Sequence, residues 1–178
     1  MMKKVFAVML VCALMLTSAA LAAPVDYKGD DDLSFTYDSD AFEMSFEDKT
    51  DDELTVVLDG TKEDWGEYAI SFYLSEIDGE DSTFPTPEEF AELEEALGIK
   101  VTQGEWNGYQ NVYSYAMDED GMNAQTFLIP LYDDDDANEI ESSLTVTVYA
   151  EALENAEAAQ LRDDAISAVL DTLHATED

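Results

Sequence analysis

The stretch TPEEFAELEEALG, residues 86–98, decides the fold class, because it reads as a complete α-helix with both ends marked. Thr86 is an N-cap residue, Pro87 suits the first helical position, and Glu89 three residues on completes a capping box. Phe90, Leu93 and Leu97 form one apolar stripe at helical spacing, and Gly98 supplies a left-handed stop. The sequence on either side alternates with a period of two. Before the helix, Tyr68, Ile70, Phe72 and Leu74 fall on one side of a strand and Ala69, Ser71 and Tyr73 on the other. After it, Val101–Met117 and Met122–Tyr132 read as a long hairpin around Asp118-Glu119-Asp120-Gly121. A helix set between blocks of strands makes this an α+β chain.

Further strands lie outward from this centre. Phe35 and Tyr37 lead through a turn at Asp38-Ser39-Asp40 to Phe42, Met44 and Phe46, and Leu54, Val56 and Leu58 alternate up to Asp59-Gly60. LTVTVY, residues 144–149, reads as the last strand. A C-terminal helix is predicted from about Asn155 to His174, with Ala158, Leu161, Ala165, Ile166, Val169 and Leu173 on its buried face. The expected architecture is an antiparallel β-sheet of about six strands, flanked by a mid-chain helix and a C-terminal helix. No repeat and no long linker divides residues 33–178, which read as a single domain, with residues 23–32 as a flexible acidic lead.

The N-terminus carries an export signal. Lys3 and Lys4 precede an unbroken apolar run from Val5 to Leu16, and Ala20-Leu21-Ala22 fits the small-residue pattern that signal peptidase cuts. The run is too short to cross about 30 Å of hydrocarbon, so residues 1–22 read as a cleaved signal peptide and not an anchor. Cys12 lies inside the apolar run behind Val11, which does not suit lipoprotein cleavage. Beyond Ala22 there is no cysteine, so no disulfide supports the exported domain.

The charge is extreme. The full chain has 43 acidic and seven basic residues, a formal net charge of −36, and all the acids lie after Ala22. Nucleic acid and anionic membrane are excluded as partners, since both require a positive surface. Cations, cationic polymers and basic proteins are favoured, and self-repulsion predicts a monomer. Abundant apolar and aromatic residues in periodic segments argue that the chain nevertheless folds.

The sequence offers residues for three kinds of site. Catalysis lacks its usual parts: His174 is the sole histidine, expected in the last turn of the C-terminal helix, and no thiol or glycine-rich phosphate loop accompanies it. Paired carboxylates of the kind that hydrolyse glycosides are available, but none is singled out among so many acids, and the chain reads as a non-enzyme. Two acidic loops, Asp118–Asn123 and Asp133–Glu139, are dense in hard oxygen ligands suited to calcium. The first fails as an EF-hand because Ala116 falls where an oxygen ligand is needed. The second makes Asp133, Asp134, Asp135, Asp136, Asn138 and Glu139 candidates for weak calcium binding, with water-exposed turns as the simpler alternative. Among the aromatic residues, Trp65, Trp106, Tyr109, Tyr113 and Tyr115 suggest a stacking platform. Trp106, Tyr109, Tyr113 and Tyr115 are its partner-binding candidates, with Trp106 expected to be exposed beside the Asn107-Gly108 turn.

The order of elements resembles the PsbP/Mog1-like superfamily. The residues that carry the resemblance are Phe35-Thr36-Tyr37 with Phe42-Glu43-Met44-Ser45-Phe46, the helix Pro87–Leu97, and Gly104-Glu105-Trp106-Asn107-Gly108-Tyr109. Ala124-Gln125-Thr126-Phe127 and the closing run Ala165–Leu173 complete it. The resemblance implies an antiparallel sheet flanked by helices and a protein that binds partners. The functional expectation is a secreted, non-catalytic binding or interaction module. A weakly calcium-binding extracellular surface protein is the alternative, and a hydrolase using paired carboxylates ranks third.

Overall fold

The computed structural model describes residues 24–29, 33–77, 84–119, 122–133 and 139–175. Their elements are β1 (Pro24–Gly29), β2 (Leu33–Asp38), β3 (Phe42–Lys49), β4 (Glu53–Gly60), a short 3-10 helix (Glu63–Trp65) and β5 (Tyr68–Glu76). Then follow α1 (Pro87–Leu97), β6 (Thr102–Trp106), β7 (Tyr109–Glu119), β8 (Met122–Tyr132), β9 (Ile140–Glu151), α2 (Ala156–Leu170) and β10 (His174–Ala175). The fold is α+β, with an antiparallel sheet, a mid-chain helix and a C-terminal helix. The main sheet has seven strands in the order β3-β4-β5-β9-β8-β7-β6, and a second sheet has three in the order β1-β2-β10.

Three strands go beyond those read from the sequence: one from the division of the expected hairpin strand, one in the acidic lead, and β10 after the C-terminal helix. Asn107 and Gly108 take positive φ of 50° and 87°, the geometry of a tight hairpin turn, and split the expected long strand into β6 and β7. The acidic lead also holds a strand. Pro24–Gly29 pairs residue for residue with β2, because Tyr27 buries its ring against Phe35 at a centroid distance of 4.7 Å and its hydroxyl donates to Glu47 Oε1 at 2.8 Å. A single buried aromatic among acids leaves no period to read, so the segment looked featureless.

One face of the main sheet carries the core. Leu54, Val56 and Leu58 of β4, Ile70 and Phe72 of β5, and Leu144 and Val146 of β9 are buried, in register across the strands. The second sheet and α2 join this cluster through Leu33, Phe35, Ile166, Val169 and Leu173. Phe35 stacks on Phe72 at 4.4 Å and so ties the two sheets together. We call this the inner face.

α1 lies on the other, outer face, where Phe90 stacks on Tyr113 at 3.9 Å. Its ends are as expected. Glu89 N–H donates to Thr86 Oγ1 at 3.3 Å, and Thr86 N–H donates to Glu89 Oε2 at 2.7 Å. These bonds from Thr86 hold the Glu89 carboxyl below the usual carboxylate range. Gly98 closes the helix in the left-handed region.

α2 departs from expectation in two ways. Asn155 caps it by accepting from Glu157 N–H at 3.1 Å, but the helix ends at Leu170 and the chain turns back as β10. His174 is therefore an exposed strand residue opposite Ser34, not part of a helical last turn. The buried stripe also runs Ala158, Arg162, Ile166, Val169 at steps of four and three, which turns Leu161 outward, half exposed. An arginine in an apolar stripe breaks the hydrophobic pattern that sequence reading follows.

Burial pushes the phenols of Tyr68 and Tyr109 above the ordinary range. The neutral forms are the ones the fold accommodates. Their contribution to stability is complete below about pH 10, the unfolded value, and is lost as pH rises through the folded values. An alkaline titration followed by phenolate absorbance should show some of the nine tyrosines ionising only as circular dichroism reports unfolding. A titration in which all ionise together before unfolding would contradict these burials.

Candidate functional site

The register defines an uncharged surface on the outer face of the main sheet. Three rows cross the four strands β5, β9, β8 and β7: Tyr73–Thr145–Leu128–Tyr113, Ser71–Thr147–Thr126–Tyr115 and Ala69–Tyr149–Ala124–Met117. None of these twelve positions is charged, in a chain where acids are the dominant polar residues. They combine rings with hydroxyls and short side chains, which suits a flat surface for stacking and hydrogen bonding. α1 covers the Tyr113 corner. The rest is partly exposed, from Thr126 at its centre, 6 % exposed, to Tyr149 at 40 % and Phe46 of β3 at 50 %.

Phe46 reaches this face through a β-bulge. Met44 pairs with Leu58 and Phe46 with Val57, so the register shifts at Ser45. Without the shift, Phe46 would follow Met44 and Phe42 toward the side of the sheet that holds the core. The bulge re-aims it beside Val57, extending the middle row onto β3. Acidic residues fringe the face: Asp48, Glu53 and Asp59 on the β3–β4 side, Glu67 and Glu151 at one end. Tyr73 links face to rim, its hydroxyl donating to Glu53 Oε1 at 2.6 Å, a contact that raises its pKa first, with burial adding to it.

A cleft of about 600 Å³ opens at the end of the face, where the loop from Asp59 to Tyr68 meets Met122, Tyr149 and Glu151. Its walls are fixed by backbone contacts. Gly66 has φ of 68°, a conformation that favours glycine, and a Cβ there would meet Glu151 Oε2 at 2.7 Å, so a side chain would also displace that carboxylate. Glu67 N–H donates to Glu151 Oε2 at 3.1 Å. Behind the cleft, Arg162, 6 % exposed, donates from Nη1 to the carbonyl of Glu151 at 2.6 Å and to that of Trp65 at 3.5 Å. Its charge is balanced by Asp163 at 3.0 Å. One buried guanidinium thus joins α2 to the 3-10 turn and the end of β9.

The aromatic platform read from the sequence is divided between the two faces. Trp106 is half buried and stacks on Phe127 at 4.2 Å, on the core side. Tyr109 also faces the core, its hydroxyl accepting from Ala175 N–H at 2.7 Å. Trp65 lies beside Tyr68, ring centroids 5.9 Å apart. Tyr113 is buried under Phe90. Of the partner-binding candidates only Tyr115, half buried on the middle row, belongs to the open face. Gly104 pairs with core-facing Val112, so alternation along β6 carries Trp106 to the core side. The extra residue of β7 before Val112, where Asn111 has φ of 59°, turns Tyr109 to that side as well, away from Tyr113 and Tyr115. Tyr149, Tyr73 and Phe46 were missed as a group because they lie on three strands far apart in sequence.

In the acidic loop, Asp133 N–H donates to the carbonyl of Glu139 at 3.0 Å and closes the loop base. Asp134, Asp135, Asp136 and Asn138 lie outside the described residues, as do Asp120 and Gly121 of the other loop. Among the described residues no group of three or more His, Cys, Asp or Glu is placed to hold a metal ion. If these acids form solvated turns, calcium chloride and sodium chloride at matched ionic strength should raise the melting temperature equally. A shift specific to calcium would establish a metal site in the folded protein and direct mutations to the 133–139 loop.

Compared with known proteins, the chain matches no family model, no curated protein and no solved structure.

Proposed function

We propose that the chain is an exported, non-catalytic binding module that holds a cationic polypeptide against the outer face of its seven-stranded sheet. The observation that carries this reading is an uncharged, ring-bearing face fringed by acids, on a chain of net charge −36. Such an arrangement divides the labour of recognition. The acidic field draws a positive partner in and sets its orientation, while the rings and hydroxyls of the uncharged face supply affinity. Arginine matches both parts, because its guanidinium stacks on tyrosine rings and pairs with carboxylates. The resemblance to the PsbP/Mog1-like superfamily, proposed from element order, supports the same class of function.

Ser71 tests the idea. It sits in the middle row between Val57 and Thr147, half buried and with no ring to remove. Titration calorimetry with an oligoarginine peptide in physiological salt should show binding to the wild-type domain. Ser71→Arg should weaken it at least about tenfold, since a like charge at a contact costs several kcal/mol, with the melting curve little changed. Equal binding by both would mean that the peptide sits elsewhere.

A further inference from the structure

The cleft at the end of the outer face extends the proposed function to a residue-level subsite, and rests on that reading. We infer that this cleft seats one arginine or lysine side chain of the cationic polypeptide, with Tyr149 as its stacking wall and Lys62 as a residue that weakens the contact.

Four observations lead there. First, the cleft, about 600 Å³, has the size of a small-ligand pocket and is continuous with the open face through Tyr149, which stands in the Ala69–Ala124 row and also lines the cleft. Second, that ring and Met122 offer an apolar surface to an aliphatic stem or a guanidinium plane. Third, the walls are preorganised: Arg162 grips the carbonyls of Trp65 and Glu151, and the Glu67 N–H fixes the Glu151 carboxylate. A seat that is already ordered loses less entropy on binding. Fourth, the mouth carries Asp59, Glu63, Glu67 and Glu151 against one cation, Lys62, so the local field selects positive charge. Lys62 is half buried, and among the described residues its ammonium makes no ion pair with these carboxylates.

The sign of the effect at Lys62 separates this assignment from its rivals. A seat for an anion or a zwitterion would use Lys62 and lose binding without it. A cation seat is relieved by its removal. Oligoarginine affinity is measured by calorimetry for the wild type, Lys62→Gln, Lys100→Gln, Tyr149→Ala and Tyr149→Phe, each checked by thermal melting. Lys62→Gln should tighten binding about threefold, the effect of removing one charge several ångströms away in a wet site. Lys100→Gln removes the same charge from an exposed loop after α1 and should change affinity by less than about half as much, through screening. Tyr149→Ala should weaken binding about fivefold, and Tyr149→Phe should restore it, because the ring and not the hydroxyl makes the contact.

Weaker binding in Lys62→Gln overturns the subsite. So does an equal response of the two lysine variants together with no response at Tyr149, which would leave only the diffuse field of the acids. In either case, continued loss of binding in Ser71→Arg shows that the outer-face reading survives. No binding of oligoarginine to the wild type overturns both.

Discussion

Phe35→Ala should cost the domain about 3–5 kcal/mol, the range for deleting a buried phenylalanine ring. The residue is 2 % exposed and forms the middle of a three-ring stack, with Tyr27 at 4.7 Å on one side and Phe72 at 4.4 Å on the other. No small residue can collapse into that space, because Tyr27 belongs to the second sheet and Phe72 to the main one. Removing the ring leaves a cavity between sheets and withdraws the packing that holds β1 and β2 against the core. A domain of ordinary stability has about 5–15 kcal/mol in total, so the variant should be marginal. Urea denaturation followed by circular dichroism checks it. Tyr27→Phe is the control, since it keeps the stack and removes the hydroxyl that donates to Glu47, for a cost of about 1 kcal/mol. If Phe35→Ala cost no more than Tyr27→Phe, the second sheet would not be packed as described.

Arg162→Ala carries the other large effect, expected at about 3 kcal/mol. The guanidinium is buried and serves two part-buried carbonyls, those of Glu151 and Trp65; hydrogen bonds from a charged group contribute about 1.5–3 kcal/mol, and the packing of the buried stem adds to that. Asp163 contributes less, because it is 57 % exposed and water takes over its carboxylate. Arg162→Lys should recover only part of the loss, since one ammonium cannot reproduce the planar fork. The same variant loosens the wall of the cleft. Thermal melting should show the drop in stability, and hydrogen exchange should show earlier opening at Trp65–Tyr68 and at the end of β9. A substitution without cost would mean that the 3-10 turn holds its place without Arg162.

Much of the fold is legible in the chain itself. The mid-chain helix is marked at both ends by Thr86, Pro87, Glu89 and Gly98, and local capping geometry needs no tertiary information. The strands of the core alternate strictly from Leu54 to Leu58 and from Leu144 to Val148, because one face is buried against apolar neighbours and the other is not. The failures fall where burial is achieved by a residue that does not look buried. Arg162 occupies a helix position that sequence patterning assigns to an aliphatic side chain, and Leu161 beside it faces water. Tyr27 anchors a strand inside an acidic segment with no alternation.

The candidate face was harder still to foresee. Phe46, Tyr73, Tyr115 and Tyr149 come from four strands, β3, β5, β7 and β9, and are collected only by the sheet order and by the bulge at Ser45. Aromatic residues close in sequence, Trp106, Tyr109 and Tyr113, drew attention instead, yet the core and α1 take them. Net charge was readable at once, but the uncharged patch within it depends on register, which a one-residue shift would erase.

The most direct test of the central claim is a map of where a cation-rich peptide touches the protein. Oligoarginine is titrated into isotopically labelled domain in physiological salt, and backbone amide shifts are followed by nuclear magnetic resonance. The account predicts saturable changes at Ser71, Tyr115, Thr147 and Tyr149, continuing to Lys62 and Gly66 at the cleft. It predicts little change at the exposed acids of α2, such as Asp163 and Asp164. Changes spread evenly over the acidic surface, with none concentrated on the outer face, would contradict it.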